Sequence, residues 1–147
     1  MQLHTDASGV GFGGLFIKSW FASAWPPKYL NDPKYSINFK ELFAIVVAFE
    51  IWGYLFKRKQ ILFNTDNFII CNLWKSLAPK TPELMKLLRH LFFRAHKSQS
   101  NVLLSHVPGR FNIFADLLSR LQIEKFLQAL PTADPQPTPI PALVWDI

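Results

Sequence analysis

Acidic residues are scarce in this chain of 147 residues: ten Asp and Glu stand against sixteen Lys and Arg, for a net charge of +6. Glu124, Asp134 and Asp146 fall beyond Arg120, whereas Lys125 alone of the basic residues does, so the acid deficit belongs to the first 120 residues. Cysteine is rarer still. The single Cys71 excludes an internal disulfide framework. It fits a reducing compartment, inside the cell in nucleus or cytoplasm, and not secretion. His4, His90 and His96 share no zinc-ligand spacing with it. A signal peptide is missing too: Met1-Gln2-Leu3-His4-Thr5-Asp6 has no basic region followed by an apolar one. The longest apolar stretch, residues 42–56, contains Glu50 and is too short to span a bilayer, so it reads as a buried helix and no membrane is expected. What is abundant is apolar: 50% hydrophobic and 15% aromatic residues argue against disorder and for one domain with a real core.

With acids this rare, their positions carry information. Four sit in short phrases: Asp6 in His4-Thr5-Asp6-Ala7-Ser8, Glu41 in Phe39-Lys40-Glu41-Leu42, Asp66 in Asn64-Thr65-Asp66-Asn67, and Asp116 in Ala115-Asp116-Leu117-Leu118-Ser119-Arg120. If these four share one site, only Asp32, Glu50 and Glu83 remain for the rest of residues 1–120. The surface is then basic around one acidic spot. A basic surface suits a polyanion, and clustered carboxylates suit hard divalent cations. The combination points to metal-assisted chemistry on nucleic acid.

Residues 2–25 read as strands: a short one to Asp6, flexible glycines at 9–14, then an aromatic and β-branched run from Leu15 to Trp25. Pro26-Pro27 ends this run, and a loop follows. Asn38 is the expected cap of a helix over 39–56, apolar on nearly all sides. A buried strand over 61–65 ends at Asp66, with a short helix over 68–77. Thr81-Pro82-Glu83 starts a helix whose apolar face is Leu84, Leu87, Leu88, Leu91, Phe92 and Ala95, with Lys86, Arg89, His90, Arg94 and Lys97 elsewhere around it. These bases read either as a solvated face or as a binding surface. Residues 101–105 read as a strand, 106–110 as a loop, and 112–121 as a helix that continues after a bend to Leu130. The organisation expected is a domain over 1–121, a helical extension over 122–130, and a Pro-rich linker or tail over 131–147. The order of elements implies an α/β fold, one mixed sheet with helices on its faces. Asp6 and Asp66 then fall at strand ends, and Glu41 and Asp116 near helix starts, where distant residues converge. Gly9-x-Gly11-x-x-Gly14 matches the dinucleotide fingerprint only literally, because a strand and not a helix follows it. Loose hairpin glycines that let a nucleic-acid backbone come close are the better reading.

Together with Ile37-Asn38 before Phe39, and with the run from His106-Val107-Pro108-Gly109-Arg110 through Asn112 to Arg120, these phrases carry a resemblance. Over roughly residues 2–121 the chain resembles the type 1 ribonuclease H domain of retrotransposon reverse transcriptases, of Gypsy and DIRS type. The resemblance implies a ribonuclease H-like five-stranded mixed sheet flanked by helices. It implies metal-dependent endonucleolytic hydrolysis of the RNA strand of RNA–DNA hybrids, leaving 3′-hydroxyl and 5′-phosphate ends. Two Mg²⁺ ions, or Mn²⁺ in their place, would be held by Asp6, Glu41, Asp66 and Asp116. His106, ten residues before Asp116, matches an auxiliary histidine of product release or proton transfer; the other reading is an ordinary loop histidine. The implied substrate contacts are Ser8, Gly9, Asn67, Arg110 and Asn112. Asn67 either meets a ribose 2′-hydroxyl or caps the helix at Phe68, and Asn112 either caps the last helix or touches substrate. The implied partners are the hybrid, a fused reverse transcriptase polymerase and, in the DIRS branch, a tyrosine recombinase. Only five residues precede Asp6, so a clipped first strand and a piece of a longer polyprotein are expected. The rival reading is a catalytically inactive retroelement remnant that binds nucleic acid or holds a polyprotein together.

Overall fold

The computed structural model describes residues 1–78 and 81–147. Five strands, β1 (Gln2–Ala7), β2 (Gly11–Phe16), β3 (Ser19–Ala24), β4 (Gln60–Thr65) and β5 (Asn101–His106), form one sheet in the order β3-β2-β1-β4-β5. β1 and β2, and β2 and β3, pair antiparallel; β1 and β4, and β4 and β5, pair parallel. The sheet is therefore mixed and five-stranded, as expected. β1 lies at its centre with six residues, the same length as the other four strands. The helices are α1 (Ile37–Trp52), α2 (Phe68–Ser76), α3 (Pro82–Ser98), α4 (Ile113–Ser119) and α5 (Ile123–Ala129).

Alternation along β2 builds two cores. Phe12 and Phe16 face the larger one, filled by α1, and Leu15 faces a smaller one shared with Trp20 of β3, Leu118 of α4 and Phe126 of α5. α1 is buried on nearly all sides, from Phe39 through Phe49 and again at Ile51 and Trp52. It starts two residues earlier than expected, because Ser36 and not Asn38 caps it, its hydroxyl accepting from the Phe39 amide at 3.2 Å. It ends at Trp52, where a single 3₁₀ turn over Gly53–Leu55 takes over. α3 begins as read, with the Thr81 hydroxyl accepting from the Leu84 amide at 3.2 Å and Pro82 in the first turn. Leu84, Leu87, Leu88, Leu91 and Ala95 face the core, but Phe92 does not; it is 54% exposed. His90 and Arg94 are not free surface bases either. Both hold the partly buried Glu50 of α1, Arg94 Nε donating to Oε1 at 2.9 Å.

The glycines of β2 have a different use from the one expected. A Cβ on Gly13 would stand 2.6 Å from Leu118 Cβ, and one on Gly11 would stand 3.0 Å from the Ser119 carbonyl oxygen. Their bareness lets α4 lie directly on the sheet. Both are buried, so no nucleic-acid backbone approaches them. The Pro-rich segment packs against the domain. Along edge strand β3 the Asp134 amide donates to the Lys18 carbonyl at 3.0 Å, the Trp20 indole donates to the Asp134 carbonyl at 2.7 Å, and the Thr138 amide donates to the Trp20 carbonyl at 2.7 Å. An exposed strand edge is thereby covered. Further on, Val144 is fully buried and Trp145 stacks on Phe43 with centroids 5.6 Å apart.

Because α4 rests on bare backbone, Gly13→Ala should force it off the sheet and lower unfolding free energy by roughly 1–3 kcal/mol. Urea unfolding measures this; an equally stable variant would mean that the close approach carries no constraint.

Candidate active site

The pairing of β1 with β4 aligns two acids. His4 lies opposite Asn64 in the parallel register, so two residues further on Asp6 stands beside Asp66. α1 crosses above this point, and its first turns bring in Glu41. One carboxylate oxygen from each of Asp6, Glu41 and Asp66 lies within 4.8 Å of the others. Asp6 and Glu41 are buried and Asp66 is partly open, so the cluster has one wet side.

Three like charges at this spacing cannot all ionise freely. Burial, with the charges of Asp6 and Asp66 beside it, pushes the Glu41 carboxyl from its ordinary 4.5 up to about 10. Burial also raises Asp6 from 3.8 to about 7, with Asp66 and Asp116 adding to the rise and a Ser119 hydrogen bond opposing it. Among the described residues, Glu41 Oε2 is buried without a hydrogen-bond partner. An oxygen-only donor set, crowded, part-protonated and with one acceptor orphaned, fits a hard divalent cation. Asp6, Glu41 and Asp66 are the residues that would hold it.

Asp116 stands at the rim. Its charge reaches Asp6, but its Oδ1 accepts from Arg120 Nε at 3.0 Å, and its side chain is 41% exposed. The convergence expected of four acids is thus a close group of three with the fourth alongside. His106 is the last residue of β5 and not a loop residue: it lies opposite Thr65, next to Asp66 in sequence, and its exposed ring meets Phe68 edge-on at 5.7 Å. The loop after it passes close by, since a Cβ on Gly109 would stand 3.7 Å from Asp66 Oδ2.

The expected substrate contacts divide. Gly9 is exposed with open space around it, and Arg110 is exposed, its guanidinium 5.0 Å over the Phe111 ring. Ser8 spends its hydroxyl within the fold, donating to the Ser119 carbonyl at 2.8 Å. Asn67 caps α2 by accepting from the Ile70 amide at 3.1 Å, and it donates to Asn38 Oδ1 at 2.9 Å. Asn112 is 2% exposed and makes no side-chain cap; its amide donates to the Thr5 carbonyl at 3.0 Å. That bond ties the loop to β1 one residue before Asp6, and Asn112 stands at the cap position of α4 with its carbonyl, not its side chain, bonded to the helix. Ser119, given no role from the sequence, donates its hydroxyl to Asp6 Oδ2 at 2.7 Å. The only sequence signal for it was its place in the phrase after Asp116.

No protein-family model matches the chain. It is 30% identical over 125 residues, 84% of its length, to the retrovirus-related Pol polyprotein from transposon 297 of Drosophila melanogaster. It spans only 11% of that relative's length. Among solved structures it is similar to the N-terminal RNase H domain of a Mycobacterium tuberculosis protein, with a TM-score of 0.64, 14% identity, and coverage of 87% of this chain and 97% of that one. RNase H1 of the archaeon Halobacterium salinarum aligns with a TM-score of 0.62 and 14% identity over 84% of this chain and 97% of that one. LC11-RNase H1, solved in complex with an RNA/DNA hybrid, aligns with a TM-score of 0.62 and 19% identity over 86% of this chain and 98% of that one.

Asp6 and Glu41 both bind protons more tightly folded than at their ordinary values of 3.8 and 4.5. The metal-free fold therefore holds more protons than the unfolded chain above about pH 4. Its stability from these groups is full at acid pH and falls as pH rises, through about 7 for Asp6 and towards about 10 for Glu41. Urea unfolding in EDTA at several pH values should show this decline, and Glu41→Gln should flatten it. A flat wild-type profile would contradict the crowding of these carboxyls.

Proposed function

We propose that this chain, a ribonuclease H-like domain whose sequence is similar to part of a retrotransposon polyprotein, hydrolyses the RNA strand of RNA–DNA hybrids. The observation that carries the reading is the convergence of Asp6, Glu41 and Asp66 within 4.8 Å on a sheet of ribonuclease H topology. The hybrid complex of LC11-RNase H1 supports the same substrate here. The finer expectations of two Mg²⁺ ions and of a fused polymerase belong to this proposal; nothing favours a tyrosine recombinase partner.

When bound, divalent cations supply Lewis acidity towards the scissile phosphate and a more acidic water. The chain's own residues do the rest. Asp6, Glu41 and Asp66 are the residues that would hold the cations. Glu41 would give up its proton on binding them, since a ligand carboxylate must be ionised. Asp116, open at the rim and paired with Arg120, would join the ligand set from there. His106 is exposed at the end of the neighbouring strand, where it can pass a proton to or from the departing product. Arg110 offers a planar cation to a backbone phosphate, and Gly9 leaves room for the strand. Recognition of RNA through its 2′-hydroxyls and of the hybrid through its shape needs no base reading. The basic excess of the domain supplies long-range attraction and makes binding salt-dependent.

A hybrid labelled on its RNA strand, incubated with the chain and Mg²⁺, tests this. Cleavage should stop in EDTA, and Asp66→Asn should lower it by about 10³-fold or more, because a charged ligand is lost at nearly constant shape. Hybrid that is bound but never cut would make the chain a nucleic-acid-binding module, and DNA duplex cut as readily would refute the substrate.

A further inference from the structure

We infer that Ser119 is a positioning residue for Asp6: its buried hydroxyl fixes the direction in which that carboxylate is presented to a divalent cation. This deepens the metal-dependent reading of the site and rests on it. Ser119 ends α4 and is fully buried. Its Oγ lies 2.7 Å from Asp6 Oδ2 and 2.9 Å from the Asp116 carbonyl oxygen. A hydroxyl has one proton to donate. The Asp116 carbonyl already accepts from the Arg120 amide at 3.1 Å, and an ionised carboxylate is the stronger acceptor. The proton therefore goes to Asp6.

Three further features hold Ser119 where it can do this. Gly11 and Gly13 carry no Cβ, so the end of α4 comes into contact with the sheet. The Ser119 carbonyl accepts from the Ser8 hydroxyl at 2.8 Å, which locks the helix end to the β1–β2 turn. The Ala115 and Leu118 side chains beside it are wholly buried, so the last turn cannot roll. The short bond fixes Oδ2, and with it the direction in which the other Asp6 oxygen is presented. The same bond also works against burial in setting the Asp6 proton affinity and so favours the anion that a cation requires. Partners that orient metal ligands in this way commonly change metal affinity by 10–100-fold when removed.

Mn²⁺ binding to the full chain, measured by titration calorimetry without substrate, tests the role. Ser119→Ala deletes one oxygen and leaves no bulk to accommodate. It should weaken Mn²⁺ by about 10–100-fold, raise the Mn²⁺ concentration needed for half-maximal hybrid cleavage correspondingly, and leave KM for hybrid unchanged. Ser119→Cys, with a weak S–H donor, should fall between the two. In an Asp6→Asn background, Ser119→Ala should cause no further loss of Mn²⁺ affinity. Wild-type Mn²⁺ affinity in a folded Ser119→Ala protein would overturn the inference, as would losses from Asp6→Asn and Ser119→Ala that multiply. Mn²⁺ affinity that falls as stated in a chain unable to cut hybrid would leave the inference standing and sink the hydrolase reading alone.

Discussion

Glu41 sits on a helix buried on nearly every side, and the free energy of holding its carboxylate there constrains what surrounds it. An isolated buried carboxylate is costly and takes up a proton rather than ionise. The fold tolerates the cost because α1 contributes so much apolar burial elsewhere, with Phe39, Leu42, Phe43, Ile45, Val46 and Val47 all in the larger core. Each such side chain is worth about 1.5–3 kcal/mol when fully buried. The helix cannot tilt to release Glu41 without exposing them. Asp6 and Asp66 are equally fixed, because adjacent parallel strands set their spacing. The cluster is a strained arrangement that an added positive charge relieves, and this is the physical basis for reading it as a metal centre.

The second constraint comes from the opposite face of the sheet. α4 carries both Asp116 and Ser119, and it reaches the site only because Gly11 and Gly13 let it approach backbone to backbone. Asn112, just before that helix, ties it to Thr5. One carboxylate, Asp6, is thus held by the sheet pairing of β1 with β4 and by Ser119, and faces Glu41 across the cluster. Gly9, Arg110, His106 and Asp116 lie in more open parts of the fold, which is where the proposed function puts recognition and turnover.

Much of this was legible in the sequence. The acids stood out because they were scarce, and their phrases fell where strand ends and helix starts converge. The start of α3 was readable because Thr81 and Pro82 act through local geometry alone. The misreadings share a cause, which is that tertiary contacts decided matters that local chemistry left open. The β2–β3 turn went unseen because its residue of positive φ is Ile17 at 59°, a β-branched residue in a conformation that turns usually give to Gly or Asn. Ser36 took the cap from Asn38, which is engaged with Asn67. The β2 glycines look like loop glycines until a helix is found lying on them. Asn112 and Ser119 act on β1 across more than a hundred residues of chain, a separation that no window of sequence contains.

We infer that the three crowded carboxylates hold a proton where a cation would otherwise sit and would release it when one binds. Calorimetric titration of Mn²⁺ into the chain near neutral pH, repeated in buffers of different ionisation enthalpy, counts the protons released on binding. With Glu41 at about 10 and Asp6 at about 7, roughly one to two protons should leave per protein as the site fills, and Glu41→Gln should abolish most of that release. Tight binding with no proton released, or no binding at all, would contradict the account.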